Sequence, residues 1–134
     1  MSSADDPHRN YRLEFDYQPP MLRATVTGGK DTCLDVTREY WLRILREVHV
    51  CGASQLLVID RMQGEVMNNE DLRRFFDALE GRGLDRIRLA YVEGRADQIP
   101  RIEYAELMAR ERGYNARIFN NETNAVVWLR HGER

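Results

Sequence analysis

The stretch Gln55 to Asp60 carries four consecutive apolar residues, Leu56, Leu57, Val58 and Ile59, between two segments with helical periodicity. A run that short and that apolar reads as a strand covered on both faces, and it can be covered only if layers pack on either side of a sheet. The neighbouring sequence supplies them. Upstream, Val36, Tyr40, Trp41, Ile44, Leu45 and Val48 fall at helical spacing, and Gly52 is placed to stop that helix. Downstream, Asn68 or Asn69 can cap a helix whose first turn holds Glu70 and Asp71 and whose buried stripe is Leu72, Phe75, Phe76 and Leu79. Gly81 and Gly83 end it.

The rest of the chain continues the alternation. Arg86 to Val92 reads as a strand, Pro100 suits the first turn of a helix running to about Arg112, and Gly113 stops it. Tyr114 to Phe119 is a last strand, followed by a helix that starts at Asn120-Asn121-Glu122 and buries Ala125, Val126, Trp128 and Leu129. At the other end, Tyr11 to Tyr17 and Met21 to Thr27 alternate around Gln18-Pro19-Pro20, the pattern of a hairpin. The order β-β-α-β-α-β-α-β-α predicts an α/β fold with right-handed crossovers and a mixed, mostly parallel sheet of about five strands with four helices.

At 134 residues one core suffices, with about two-thirds of the unfolded chain's surface buried on folding. The expected domain is 11–130, with residues 1–10 as a disordered tail and 131–134 as a C-terminal tail. Twenty basic against twenty-two acidic residues leave a net charge of −2, so no global field favours nucleic-acid phosphates and generic nucleic-acid binding is not expected. Two cysteines, Cys33 and Cys51, are too few for a disulfide framework and read as small buried fillers in a reducing cytoplasm. No run approaches the ~20 apolar residues of a membrane span, and the opening MSSADDPHRN has no apolar signal region.

Ligands in open α/β sheets gather beyond the carboxyl ends of the strands. Four loops meet there, bringing Gly28, Gly29, Lys30 and Asp31; Asp60, Arg61 and Glu65; Glu93, Gly94, Arg95 and Asp97; and Asn120 and Asn121. Mixed charges with glycines suit a small anion or a divalent cation. Gly29-Lys30-Asp31 is not a phosphate-binding P-loop, since Ala24 stands where the motif needs glycine and Asp31 where it needs a hydroxyl. The receiver pattern also fails, because Phe119-Asn120 supplies no lysine. His8, His49 and His131 show no metal-binding or triad spacing, so no catalytic residue, metal ligand or cofactor is expected. Tyr40, Trp41, Phe119 and Trp128 fall in apolar stripes and read as core, with Trp41 the best placed of the four to reach an interface.

The element order, the length and the closing segment ARIFNNETNAVVWL resemble the STAS domains of anti-sigma-factor antagonists, in particular the SpoIIAA-like branch, over roughly residues 11 to 130. The resemblance implies a bacterial, cytoplasmic signalling module that binds a protein. In the regulatory members a Ser or Thr just beyond the third strand is phosphorylated by a partner kinase. The matching stretch here, Asp60-Arg61-Met62-Gln63-Gly64-Glu65, has no hydroxyl, and none follows as far as Asn69, so a phosphate has no oxygen to join.

The expectation is therefore a non-enzymatic regulatory or protein-binding module of STAS type without a phosphoswitch. Its candidate partner or ligand surface is Asp60, Arg61, Met62, Gln63, Glu65, Met67, Arg73, Glu93 and Arg95. The methionines Met62 and Met67 suit an adaptable binding surface, or else fold back over the open end of the sheet. The alternative is a small-anion or metal binder, or a weak enzyme, at the same sheet edge. Self-association through helix faces is a further possibility without a direct sign in the sequence.

Overall fold

The computed structural model describes residues 11–132. Its elements are β1 (Tyr11–Gln18), β2 (Met21–Gly28), α1 (Leu34–Cys51), β3 (Gln55–Arg61), α2 (Asn69–Leu79), β4 (Arg88–Glu93), α3 (Ile99–Glu111), β5 (Asn115–Phe119) and α4 (Glu122–His131). They form one five-stranded sheet in the order β1-β2-β3-β4-β5, with β1 antiparallel to β2 and every other pair parallel. The expected order, sheet and helix number are all present.

The helices divide unequally. Residues of α1, α2 and α3 join Leu13, Leu22, Val26, Leu56, Val58 and Leu89 in one large core. On the opposite face α4 alone covers Leu57, Ile59, Ala90 and Val92 through Ala125, Trp128 and Leu129. The alternation of β3 explains both cores: Leu56 and Val58 point one way, Leu57 and Ile59 the other, and none is more than 4% exposed. Gly52 ends α1 as expected, at φ 75 with its N–H on the Val48 carbonyl, a conformation that a side chain would oppose.

Aromatic rings set the interior near the carboxyl ends of β3 and β4. Trp41 of α1 stacks on Tyr91 of β4 with centroids 6.3 Å apart, and Phe75 of α2 meets Trp41 edge-on. On the other face Arg88 donates to the carbonyls of Trp128 at 2.9 Å and Leu129 at 3.2 Å, near the end of α4, and its guanidinium lies 4.6 Å from the Trp128 ring centroid. Arg23 of β2 pairs with Glu122 at the start of the same helix.

Several local expectations change. Cys33 is exposed, because it precedes α1 in extended backbone and so escapes the helix's buried stripe, while Cys51 is half-buried. Trp41, by contrast, is only 5% exposed and packs in the core as expected. His131 closes α4 and Gly132 follows as its cap, so residue 131, which the expected C-terminal tail included, belongs to the helix. The proposed N-terminal tail, 1–10, lies outside the described residues, as do 133 and 134.

Candidate functional site

Alternation along β3 turns Asp60 toward the three-helix layer, on the same face as Leu56 and Val58. Its register partner on β4 is Glu93, and Tyr91, two residues earlier, shares that face. The Tyr91 hydroxyl donates a hydrogen bond to one oxygen of Asp60, and the Met62 N–H donates to the other at 2.8 Å. The second bond turns the chain immediately after the strand, as an Asp side chain does when it accepts from the amide two residues on. Burial is the main influence on Asp60 and raises its pKa above the usual carboxylate value, against the opposing pull of these two bonds. Tyr40 and Tyr91 are also pushed upward, first by burial and then by the charge of Asp60.

Glu93 is only 1% exposed but is well matched. Its carboxylate accepts from Arg95 Nε at 3.1 Å, from Arg95 Nη2 at 3.2 Å and from the Arg95 backbone N–H at 3.0 Å. Those bonds raise the pKa of the guanidinium. The two neighbouring carboxylates therefore differ. Glu93 holds an arginine, whereas the hydrogen bonds to Asp60 come from a phenol and an amide, both neutral.

The segment between β3 and α2 is fixed from two sides. Toward β2 and α1, the Gln63 N–H donates to Gly29 at 3.0 Å and Thr32 Oγ1 to the Glu65 carbonyl at 2.6 Å. Toward α3, the Val66 N–H donates to Gln98 Oε1 and Arg101 Nη1 to the Val66 carbonyl, both at 2.8 Å. A Cβ at Gly64 would run into the Lys30 carbonyl and Thr32 Oγ1, so the close approach of these loops requires glycine. Asn68 then starts α2, its side chain accepting from Asp71 N–H at 2.9 Å.

This path sorts the candidate residues. Arg61, Gln63, Glu65 and Arg73 point outward and are exposed. Met62, 2% exposed, and Met67, 9% exposed, turn inward over the end of the sheet, where they join the large core and leave the outer surface. Asp60, Arg61, Met62, Gln63, Glu93 and Arg95 line one shallow depression outside the strand ends. Met67 lines instead an inner cavity, which part of Glu65 also touches while its side chain stays exposed, and Arg73 of α2 lines neither. Asn121 is spent on capping α4, accepting from Asn124 N–H at 2.9 Å, and Asn120 accepts from the Asn121 amide. Among the described residues no three of His, Cys, Asp and Glu gather as a metal site would need, and no helix is long and apolar enough to cross a membrane.

Sequence reading passed over Tyr91, Gln98, Arg101 and Gly64. Tyr91 had one available signal, its place two residues before Glu93 and hence on the same strand face. The roles of Gln98, Arg101 and Gly64 depend on contacts 32 to 35 residues away in sequence, or between loops, and have no local pattern.

No family model matches the sequence, and no curated protein matches it. A solved structure described as an anti-sigma factor antagonist from Mycobacterium paratuberculosis superposes with a TM-score of 0.59 at 11% identity, over 97% of this chain and 98% of that one. At that identity the likeness speaks to architecture, and it extends from the opening hairpin to the last helix. The chain has the STAS fold of an anti-sigma factor antagonist.

Proposed function

We propose that this protein is a non-enzymatic regulatory module of STAS type that binds a protein partner in the cytoplasm, through the segment after β3 and the outer face of α2, without a phosphoswitch. The observation that carries this reading is the pinned segment itself: its backbone is tied to Gly29, Thr32, Gln98 and Arg101, and it holds Arg61, Gln63 and Glu65 outward from a fixed frame. A preordered surface loses little freedom on binding, which favours affinity. The solved structure with the same fold is described as an antagonist of an anti-sigma factor, and that description favours a protein partner here as well.

Arg61 and Arg73 are exposed and have no ion pair among the described residues, in contrast to Arg74, which pairs with Glu70 and Asp71. They are the natural contacts for carboxylates on the partner. Arg61→Glu and Arg73→Glu, each expected to change stability by less than about 0.5 kcal/mol, should each reduce co-purification of the partner from the source cells. A partner that stays bound in the double variant would overturn this surface assignment.

A further inference from the structure

Between the sheet and the three-helix layer lies a cavity of about 80 Å³, overlain by Gly64, Glu65, Val66 and Met67. We propose that this cavity binds a small primary alkylamine, held as its ammonium by Asp60 with its chain in the apolar interior.

The cavity wall is chemically divided. Most of it is apolar, built from such residues as Leu72, Phe75, Phe76, Leu89 and Ile102. Its polar side chains fall in separate places: Asp60 bonded to Tyr91, with Tyr40 and Thr37 nearby, on the α1 side, and Glu106, which accepts from the Ile118 N–H, with Arg117 on the α3 and β5 side. The carboxylates on the α1 side are half-buried Asp60 and buried Glu93, and Arg95, the cation among the described residues whose charge Asp60 feels, is committed to Glu93 by two side-chain bonds. Asp60 thus faces the cavity with neutral donors as its hydrogen-bond partners, and each of its oxygens keeps acceptor capacity. A half-buried carboxylate in that condition is satisfied best by a cation with N–H donors. An alkylammonium supplies that group and an apolar tail together, which neither a metal ion nor a carboxylate ligand does.

Size limits the tail. An apolar cavity of roughly 150 Å³ accommodates benzene, so about half that volume suits a short chain. The entry route is also defined: Asp60 and Arg95 line both this cavity and the outer depression at the ends of β3 and β4, so the carboxylate stands between solvent and interior. The cavity shares the segment after β3 with the partner surface proposed above, but Arg61 and Arg73, whose reversal tests that surface, do not line it, so the two readings fail separately.

The test uses n-butylamine and its neutral counterpart n-butanol, titrated at pH 7 into the full chain by calorimetry. The amine should bind at least about tenfold more tightly than the alcohol, the difference expected for one charged hydrogen-bonded contact. Asp60→Asn should remove that preference while leaving butanol binding in place, and Ala105→Leu, which fills the cavity from α3, should weaken both. Equal affinity for the two compounds, no binding of either, or an amine preference that survives Asp60→Asn would overturn the proposal. If Asp60→Asn does not fold, the amine-to-alcohol ratio in the unaltered protein decides.

Discussion

Asp60 is held where a carboxylate is costly to ionise. Five groups face it: Tyr91 and the Met62 amide donate to it, Glu93 repels it, Arg95 attracts it weakly, and Tyr40 lies near enough to feel its charge. Because its folded pKa lies above the unfolded value, the native state binds the proton more tightly. Stability contributed by this group is therefore full below the unfolded pKa and is lost as pH rises through the folded one. Asp60→Asn should gain on the wild type at neutral pH, with the gap narrowing as pH falls toward 4, the ordinary carboxylate range. Urea melts of both proteins across that range measure it, and a gap independent of pH would contradict the assignment. Tyr91→Phe should cost about 1.5–3 kcal/mol at pH 7, since it takes a hydrogen bond from a charged acceptor. Asp60 was legible in the sequence as the polar end of an apolar strand. Its tyrosine was not, because the contact depends on the register of β3 against β4.

At the scale of elements, periodicity and capping were enough to place every α-helix and strand to within a few residues, but not the short 3-10 helices Leu84–Arg86 and Ala96–Gln98, the first of which takes up Arg86 from the expected fourth strand. Periodicity marked the buried stripe of α2, and Asn68, one of two candidate caps, does accept from the Asp71 amide. Asn68→Ala should cost about 1 kcal/mol, seen as a lower midpoint in urea melts, whereas Asn69→Ala should cost less because Asn69 makes no cap. The segment before α2 behaves differently. Its apolar Met62 and Met67 offered two readings from sequence, a sticky surface or a lid over the core, and local pattern does not separate them. The structure turns both inward, held by loops that sequence places 30 or more residues away. Gly64→Ala should then cost about 1–3 kcal/mol by forcing that backbone off Lys30 and Thr32, a loss to be measured by thermal denaturation. An alanine that leaves stability unchanged would mean the loops are not locked together.

Across the whole molecule the two faces of the sheet are unequal. Three helices cover one, and α4 alone covers the other, anchored by Trp128 and by Arg88 reaching the carbonyls near its end. The alternating order of elements implied a parallel sheet, and the likeness of the closing segment to STAS domains suggested the topology. The division of helices between faces follows from how the crossovers close in three dimensions, which no single segment encodes. Trp128→Ala should cost about 3–5 kcal/mol by emptying the smaller core. The same asymmetry leaves the loop after β3 and the outer side of α2 at one end of the three-helix layer, with α4 behind the sheet as a built-in control.

The most direct test places a photo-crosslinking amino acid at position 61 or 73, and separately at Arg130 on α4, in the protein expressed in its source cells. The account predicts one discrete protein adduct from positions 61 and 73, lost when the neighbouring arginine is reversed to glutamate, and none from position 130. Adducts that form equally from all three positions, or only from position 130, would contradict it.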